Sequence, residues 1–439
     1  MIRDVILAVL LISLVALAGA CSGGPRPGQD PSGRTTIVFR HGKIPGDPEP
    51  FQALLRRFEA EHPDLRIVDE LLPAGTDREH QWYVTNLEGR SVDFDVLAMD
   101  VIWVQEFARA GWLRELGEFL SRGDQDAFLP GPIAANTFRG GLYGVPWFAD
   151  AGLLYYRQDL LERHGIPVPA TWEALQAAVA RIRAAERNPD LHGFLWQGRQ
   201  SEGLVCVVLE VAGSLPEPGQ PFSGPFEDPR LIPALRLLRG FIAEGVSPGL
   251  VLTADAEAAR RSFGAGRAIF MRNWPYAWRL LQGPRSPVRG KVGIAPLPHF
   301  PRGRSASVLG GWQLGITRAS RHPREAWRFV AFMTGAEAQR HLARSYALNP
   351  TRVALYRDEA LRQEQPVMRT LFPILNEARP RPVTPFYMMA TQILQGEFSA
   401  AIAALRPPEE AAAEVRRQTR RLLTVEFAEA RGEARAPRR

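Results

Sequence analysis

Thr35-Thr-Ile-Val-Phe-Arg40 opens a stretch that runs through a loop at residues 41–50 to Phe51, Leu54, Leu55 and Phe58, and closes on Leu65-Arg-Ile-Val68. The first run is rich in β-branched residues, which favours a strand. The apolar residues at 51, 54, 55 and 58 recur at the helical period and share one face. The last run returns to strand character. Strand, helix and strand in this order form a βαβ unit, whose crossover is almost always right-handed. A second unit follows: a buried strand over residues 94–99 ended by Asp100, then a helix over residues 101–110 stopped at Gly111. The alternation continues past residue 300 with no internal repeat, so the expected class is α/β.

Ligands of open α/β sheets sit beyond the carboxyl ends of the strands. That rule singles out Asp47, in the first strand–helix loop, and Asp100, at the end of the later strand. Each also has a purely local reading. Asp100 would cap a helix starting at Val101, and Asp47 would be a turn residue beside Pro48.

About 400 residues follow Cys21, more than one hydrophobic core supports, so two lobes are expected. Net charge is +7, and the basic residues are nearly all Arg, with Lys43 and Lys291 the only lysines. Acidic residues are interspersed with the Arg throughout, whereas a nucleic-acid binder clusters its charge. No nucleic-acid partner is therefore expected. Cys206 lies in the apolar run Leu204-Val-Cys-Val-Val-Leu209, which points to a buried, non-catalytic thiol.

Near the start, Leu17-Ala-Gly-Ala-Cys21 closes an apolar run from Val5 to Ala18. It resembles the lipobox of bacterial lipoproteins, cut before the cysteine, which is then lipidated. As a helix the run would span only about 21 Å, short of a hydrocarbon core of about 30 Å. A signal peptide at residues 1–20 is expected rather than a membrane span. Residues 21–34 have almost nothing to bury and read as a flexible tether. From Thr35 onward no segment is long and apolar enough to cross a bilayer. Residues 429–439 read as a basic, disordered tail.

The segment from Gly141 reads Gly-Leu-Tyr-Gly-Val-Pro-Trp-Phe-Ala-Asp-Ala-Gly-Leu-Leu-Tyr-Tyr-Arg-Gln-Asp-Leu-Leu, and Thr171-Trp-Glu-Ala-Leu175 follows. Further along come Gly193-Phe-Leu-Trp-Gln-Gly-Arg-Gln-Ser-Glu-Gly-Leu-Val-Cys206, Arg272-Asn-Trp-Pro-Tyr-Ala-Trp278 and Lys291-Val-Gly-Ile-Ala-Pro-Leu-Pro-His-Phe300. Leu309-Gly-Gly-Trp-Gln-Leu-Gly-Ile316 and Pro380-Arg-Pro-Val-Thr-Pro-Phe-Tyr387 complete the set. Six motifs in this order resemble family 1 extracellular solute-binding proteins of ABC sugar importers, in the trehalose/maltose-binding branch. The resemblance implies a two-lobe periplasmic-binding-protein fold of type II, with a hinge and a ligand cleft. One lobe would comprise residues 35–143 and 294–349, the other residues 144–293 and 350–428. The chain would cross near residues 143–147, 289–293 and 347–352. It further implies a monomer outside the cytoplasmic membrane, held there only through lipidated Cys21, that serves the permease subunits of an ABC importer.

A sugar presents adjacent hydroxyls and a C–H face, which carboxylates, Arg and flat aromatic rings recognise. By the resemblance, Asp47, Thr76, Gln81 and Asp100 are ligand contacts of the first lobe, and Phe148 and Asp150 lie in the crossing segment. Trp274 and Tyr276 match the aromatic platform, Gly311 and Trp312 the Gly-Gly-Trp contact, and Arg381 and Tyr387 a final clamp. Phe148 stands where the branch usually has Tyr, and Ser201 replaces Tyr before Glu202-Gly203. Paired carboxylates and aromatics also build glycoside hydrolase sites. No His-Glu-x-x-His or Walker-type motif supports an enzyme. Neither a cofactor nor a metal is expected. A sensory receptor without a transport role is the other alternative.

Overall fold

A computed structural model of the chain describes residues 33–217 and 226–430. Cys21, the signal peptide and most of the tether lie outside the described residues, as do residues 431–439. Among the described residues no helix is long and apolar enough to cross a membrane.

The first βαβ unit forms as its pattern dictates. Strand β1 (Thr35–His41) and helix α1 (Glu49–Glu61) lead to β2 (Leu65–Leu71), which pairs parallel with β1. The buried residues of α1 are Phe51, Leu54, Leu55 and Phe58. Helix α2 (Thr76–Glu88) returns to β3 (Val96–Asp100), also parallel to β1. Along β3 the pleat divides the side chains between two cores. Val96 and Ala98 pack with Phe39, Phe58 and Phe329, while Leu97 and Met99 pack with Tyr83, Phe94 and Phe107. After Asp100 the chain makes a turn over residues 101–103, and the helix expected from Val101 begins at Val104 instead. Asp100 stabilises that turn by accepting from the Ile102 N–H at 3.2 Å.

Seven-residue strand β4 (Val145–Ala151) gives way at Gly152 to β5 (Leu153–Arg157). Helix α3 (Trp172–Glu186), β6 (His192–Leu195), helix α4 (Glu202–Gly213) and helix α5 (Ala256–Gly264) precede β7 (Ala268–Asn273). Then come β8 (Val292–Ala295), β9 (Leu309–Ile316), helix α6 (Tyr387–Ile402) and helix α7 (Pro408–Ala430). The strands form a five-stranded sheet ordered β2-β1-β3-β9-β4 and a four-stranded sheet ordered β8-β5-β7-β6. Each sheet anchors one lobe.

The lobe boundaries differ from those expected. Strand β4 pairs with β9 of the first sheet up to Ala151 opposite Leu309, so the chain crosses at Gly152, not at residues 143–147. Strand β8 pairs with β5 of the second sheet up to Ala295, so the return crossing lies within residues 296–308 rather than 289–293. At Gly152 a side chain has no room. A Cβ there would lie 2.0 Å from Glu210 Oε1 and 2.7 Å from Arg272 Nη2. Residue 349 bridges to Ala149, which ties the third linking segment to β4. Helix α7 reaches Ala430, two residues into the expected tail.

Candidate functional site

The carboxyl ends of β1 and β3 and the facing ends of β4 and β9 make one wall of a cleft of about 400 Å³ between the sheets. The size suits a small ligand. Thr76, Asp100, Phe148, Asp150, Gly311 and Trp312 all lie on this wall. Trp274, Tyr276 and Arg381 lie on the other, so nine of the twelve expected contacts converge.

The Gly-Gly-Trp motif has a steric basis. Gly311 has φ +114°, in the region that favours glycine, and a Cβ there would sit 2.3 Å from the Phe148 carbonyl oxygen. The pairing of β9 with β4 is irregular just beyond, between Trp312 and Gln313. A Cβ on Gly310 would lie 3.1 Å from the Trp274 ring. The motif thus lets β9 press against both β4 and the opposite wall. Trp312 is braced edge-on by Trp103, with ring centroids 5.6 Å apart.

Trp274 follows β7 and is fixed on several sides. Its N–H donates to Asn273 Oδ1 at 2.8 Å, and the Tyr155 hydroxyl donates to its carbonyl at 2.8 Å. The Arg272 guanidinium lies 4.0 Å from the centre of its ring. Arg272 is in turn held by buried Glu210 and by Gln197, to which it donates at 2.7 and 2.6 Å. Tyr276 donates its hydroxyl to Glu257 Oε1 at 2.7 Å, which orients the ring.

Arg381 joins the two walls. Its Nη2 donates to Asp100 Oδ1 at 2.9 Å, and Nη1 donates to Glu202 Oε1 at 3.0 Å. Burial opposes the Arg381 charge, but Asp100 and Glu202 outweigh it and hold its pKa above the ordinary arginine value. Burial pushes the Glu202 carboxyl up, against the pull of Arg381. Tyr387 does not reach the cleft. Its hydroxyl donates to Glu202 Oε1 at 2.7 Å, with the Thr391 hydroxyl donating to the other oxygen, so Tyr387 supports the carboxylate behind Arg381.

Two expected contacts lie elsewhere. Asp47 is exposed and accepts from the Glu49 N–H at 3.0 Å, the local turn role open to it. Gln81 is exposed and donates to Thr85 at 3.4 Å. Five residues after Thr76, it projects from a different side of α2. Glu79, one turn after Thr76, is the residue that shares its face and lines the cleft. That i, i+3 spacing was the available signal for Glu79. Glu202, Gln197, Arg199, Asp255 and Glu257 also line the cleft and were not anticipated. For Glu202 the clue was its place beside Ser201 at the start of an apolar helix.

Burial, then repulsion from Asp100, raises the Glu79 carboxyl to about 7. The same two causes raise Asp150 to about 7 against the pull of Arg272. Cys206 is buried, and burial pushes its thiol pKa far up. Among the described residues no cluster of His, Cys, Asp and Glu could hold a metal ion. The cleft offers acceptors, the guanidinium groups of Arg199 and Arg381 and aromatic faces, which suits a polar, ring-shaped solute.

Comparison with known proteins agrees with this geometry. The family described as bacterial extracellular solute-binding protein matches residues 42–340. A probable ABC transporter-binding protein of Deinococcus radiodurans is 36% identical over 321 residues, covering 71% of this chain and 75% of that one. A maltotriose-binding protein of Pyrococcus abyssi is 25% identical over 344 residues, 76% of this chain and 70% of that protein. Among solved structures, maltose-bound T. maritima MalE3 is similar with a TM-score of 0.81 at 37% identity, covering 88% of this chain and 99% of that chain. With its two sheets, its cleft and the family match over most of its length, the chain belongs to the bacterial extracellular solute-binding proteins.

Proposed function

We propose that this protein is a monomeric, extracytoplasmic sugar receptor, lipid-anchored at Cys21, that delivers an α-linked disaccharide such as trehalose or maltose to the permease subunits of an ABC importer. The observation that carries this reading is the pair of indoles, Trp274 and Trp312, on opposite walls of one cleft, interleaved with Asp100, Asp150 and Arg381. Aromatic faces suit the C–H side of a pyranose, and charged groups suit its hydroxyls. The likeness to a maltose-bound protein at 37% identity supports the ligand class. Phe148 lacks the hydroxyl of the Tyr usual at its position, which changes how epimers are told apart.

Trehalose, maltose and sucrose should be left intact on incubation, and at least one should raise the melting temperature through linkage. Release of free glucose at enzyme-like rates would overturn the receptor reading in favour of a glycoside hydrolase. Cys21→Ala should move the protein from the membrane to the soluble fraction, and retention through a carbonate wash would sink the anchor.

A further inference from the structure

The chain carries a net charge of +7, yet the described residues lining the cleft include seven carboxylates and three cationic side chains. Most of these carboxylates are matched. Arg381 pairs with Asp100 and Glu202, Arg199 with Asp255 at 3.1 Å, and Glu257 with Arg260 at 2.8 Å. Three on the first-lobe wall, Asp77, Glu79 and Asp150, are in no ion pair, and Asp77 faces Arg199 and His80 as well as Asp100. Glu79 is 6% exposed, and its Oε2 is buried without a hydrogen-bond partner. Asp150 Oδ1 is buried and unpartnered in the same way. Asp100 faces and repels both. The other ionisable neighbours are Tyr83 beside Glu79, and Arg272, Tyr155 and Tyr356 beside Asp150. Arg272 is itself committed to Glu210.

We propose that the saccharide taken by this cleft carries a protonated amine, which docks on the first-lobe wall with Glu79 and Asp150 accepting its hydrogens. The inference rests on the sugar-receptor reading and narrows its ligand class. Hydroxyls would satisfy the two acceptors but leave the repulsion of each by Asp100 in place. An ammonium group is a donor only and cancels that repulsion as well. Trp274 and Trp312 remain available for the ring faces. Because both carboxyls sit at about 7 in the free receptor, each is part-protonated at neutral pH. An ammonium ligand makes them ionise and so expels more protons on binding than its neutral parent, whose hydroxyls favour the ionised form through hydrogen bonds alone.

The test is calorimetry at pH 7 with trehalose, maltose and their monoamino derivatives, repeated in buffers of different ionisation heat. At least one derivative should bind tighter than its neutral parent by roughly tenfold or more. Its binding should release more protons than the parent's, and the preference should shrink toward pH 5 as Glu79 and Asp150 protonate. Glu79→Gln should bring the ratio of the two affinities toward one, with Asp150→Asn as a second variant; the extra proton release by the unmodified protein stands whether or not either variant folds. Parents that bind as tightly as their amines overturn the proposal and leave the sugar reading intact. An amine preference without extra proton release, unmoved by either variant, overturns the assignment to this wall. If neither parents nor amines bind, the sugar reading falls too.

Discussion

Trp274 owes its orientation to neighbours that would survive its removal: Tyr155 and Asn273 hold the backbone, while Glu210 holds the stacked Arg272. Trp274→Ala should therefore leave the fold intact and weaken ligand binding by about 2–4 kcal/mol through lost area and stacking. Trp172 is the contrasting case. It is 2% exposed, bonds Ser214 through Nε1 at 3.0 Å and packs on Phe194 and Phe241, away from the cleft. Trp172→Ala should lower stability by about 3–5 kcal/mol and leave affinity nearly unchanged in the folded fraction. Calorimetric titration beside thermal melts separates the two; loss of binding in Trp172→Ala with normal binding in Trp274→Ala would misplace the cleft. Glu79 makes a pH prediction. Its carboxyl rises from 4.5 to about 7 on folding. Between these values the folded state keeps a proton that the unfolded chain has lost, so stability falls as pH rises through the window. The loss is about 3 kcal/mol. Glu79→Gln should melt at a temperature less sensitive to pH between 5 and 8 than the parent protein. Equal slopes would show that Glu79 ionises freely.

At the level of elements, β9 is the strand on which the site depends, because it pairs with β3 on one side and β4 on the other. Gly311→Ala would force a Cβ toward the Phe148 carbonyl in a backbone region that disfavours it. It should cost more than about 2 kcal/mol and reduce ligand affinity with it. Gly396 in α6 faces open space where a Cβ would stand, so Gly396→Ala should stabilise by about 0.4–1 kcal/mol. A Gly311→Ala protein as stable as its parent would refute the steric account of the motif. The same strands show what sequence makes legible. Phe51, Leu54, Leu55 and Phe58 could be read as a buried face because local periodicity alone fixes it. The indoles and Arg381 could be assigned to one cleft, where the structure places them, because they sit in short, contiguous motifs. The crossing at Gly152 was not legible, since it is set by a strand that pairs from β9, far downstream. Glu202 was hidden for a similar reason, its partner Arg381 lying 179 residues away. Gln81 was misplaced and Glu79 missed because a short match ignored which side of α2 each residue occupies.

For the whole molecule, the cleft divides its contacts between two sheets, with Asp100, Asp150 and Trp312 on one and Trp274 on the other. Only a ligand that touches both walls prefers the closed state, so binding should shift a hinge equilibrium. Small-angle scattering should show a smaller radius of gyration with saturating sugar; an unchanged radius would count against closure. Glu202, Asp100 and Arg381 would make closure a coupled event, because they already connect the lobes near the hinge. The buried thiol of Cys206 has a practical corollary. A protein beginning at residue 33 contains that cysteine alone, and it is 1% exposed with its pKa driven up by burial. Thiol reagents attack the thiolate, so the native sulfur should stay silent toward a maleimide dye. A fluorophore attached through Ser201→Cys, at the wall of the cleft, would then carry the only label, and the receptor would become an optical gauge of its own ligand without any native residue having to be masked.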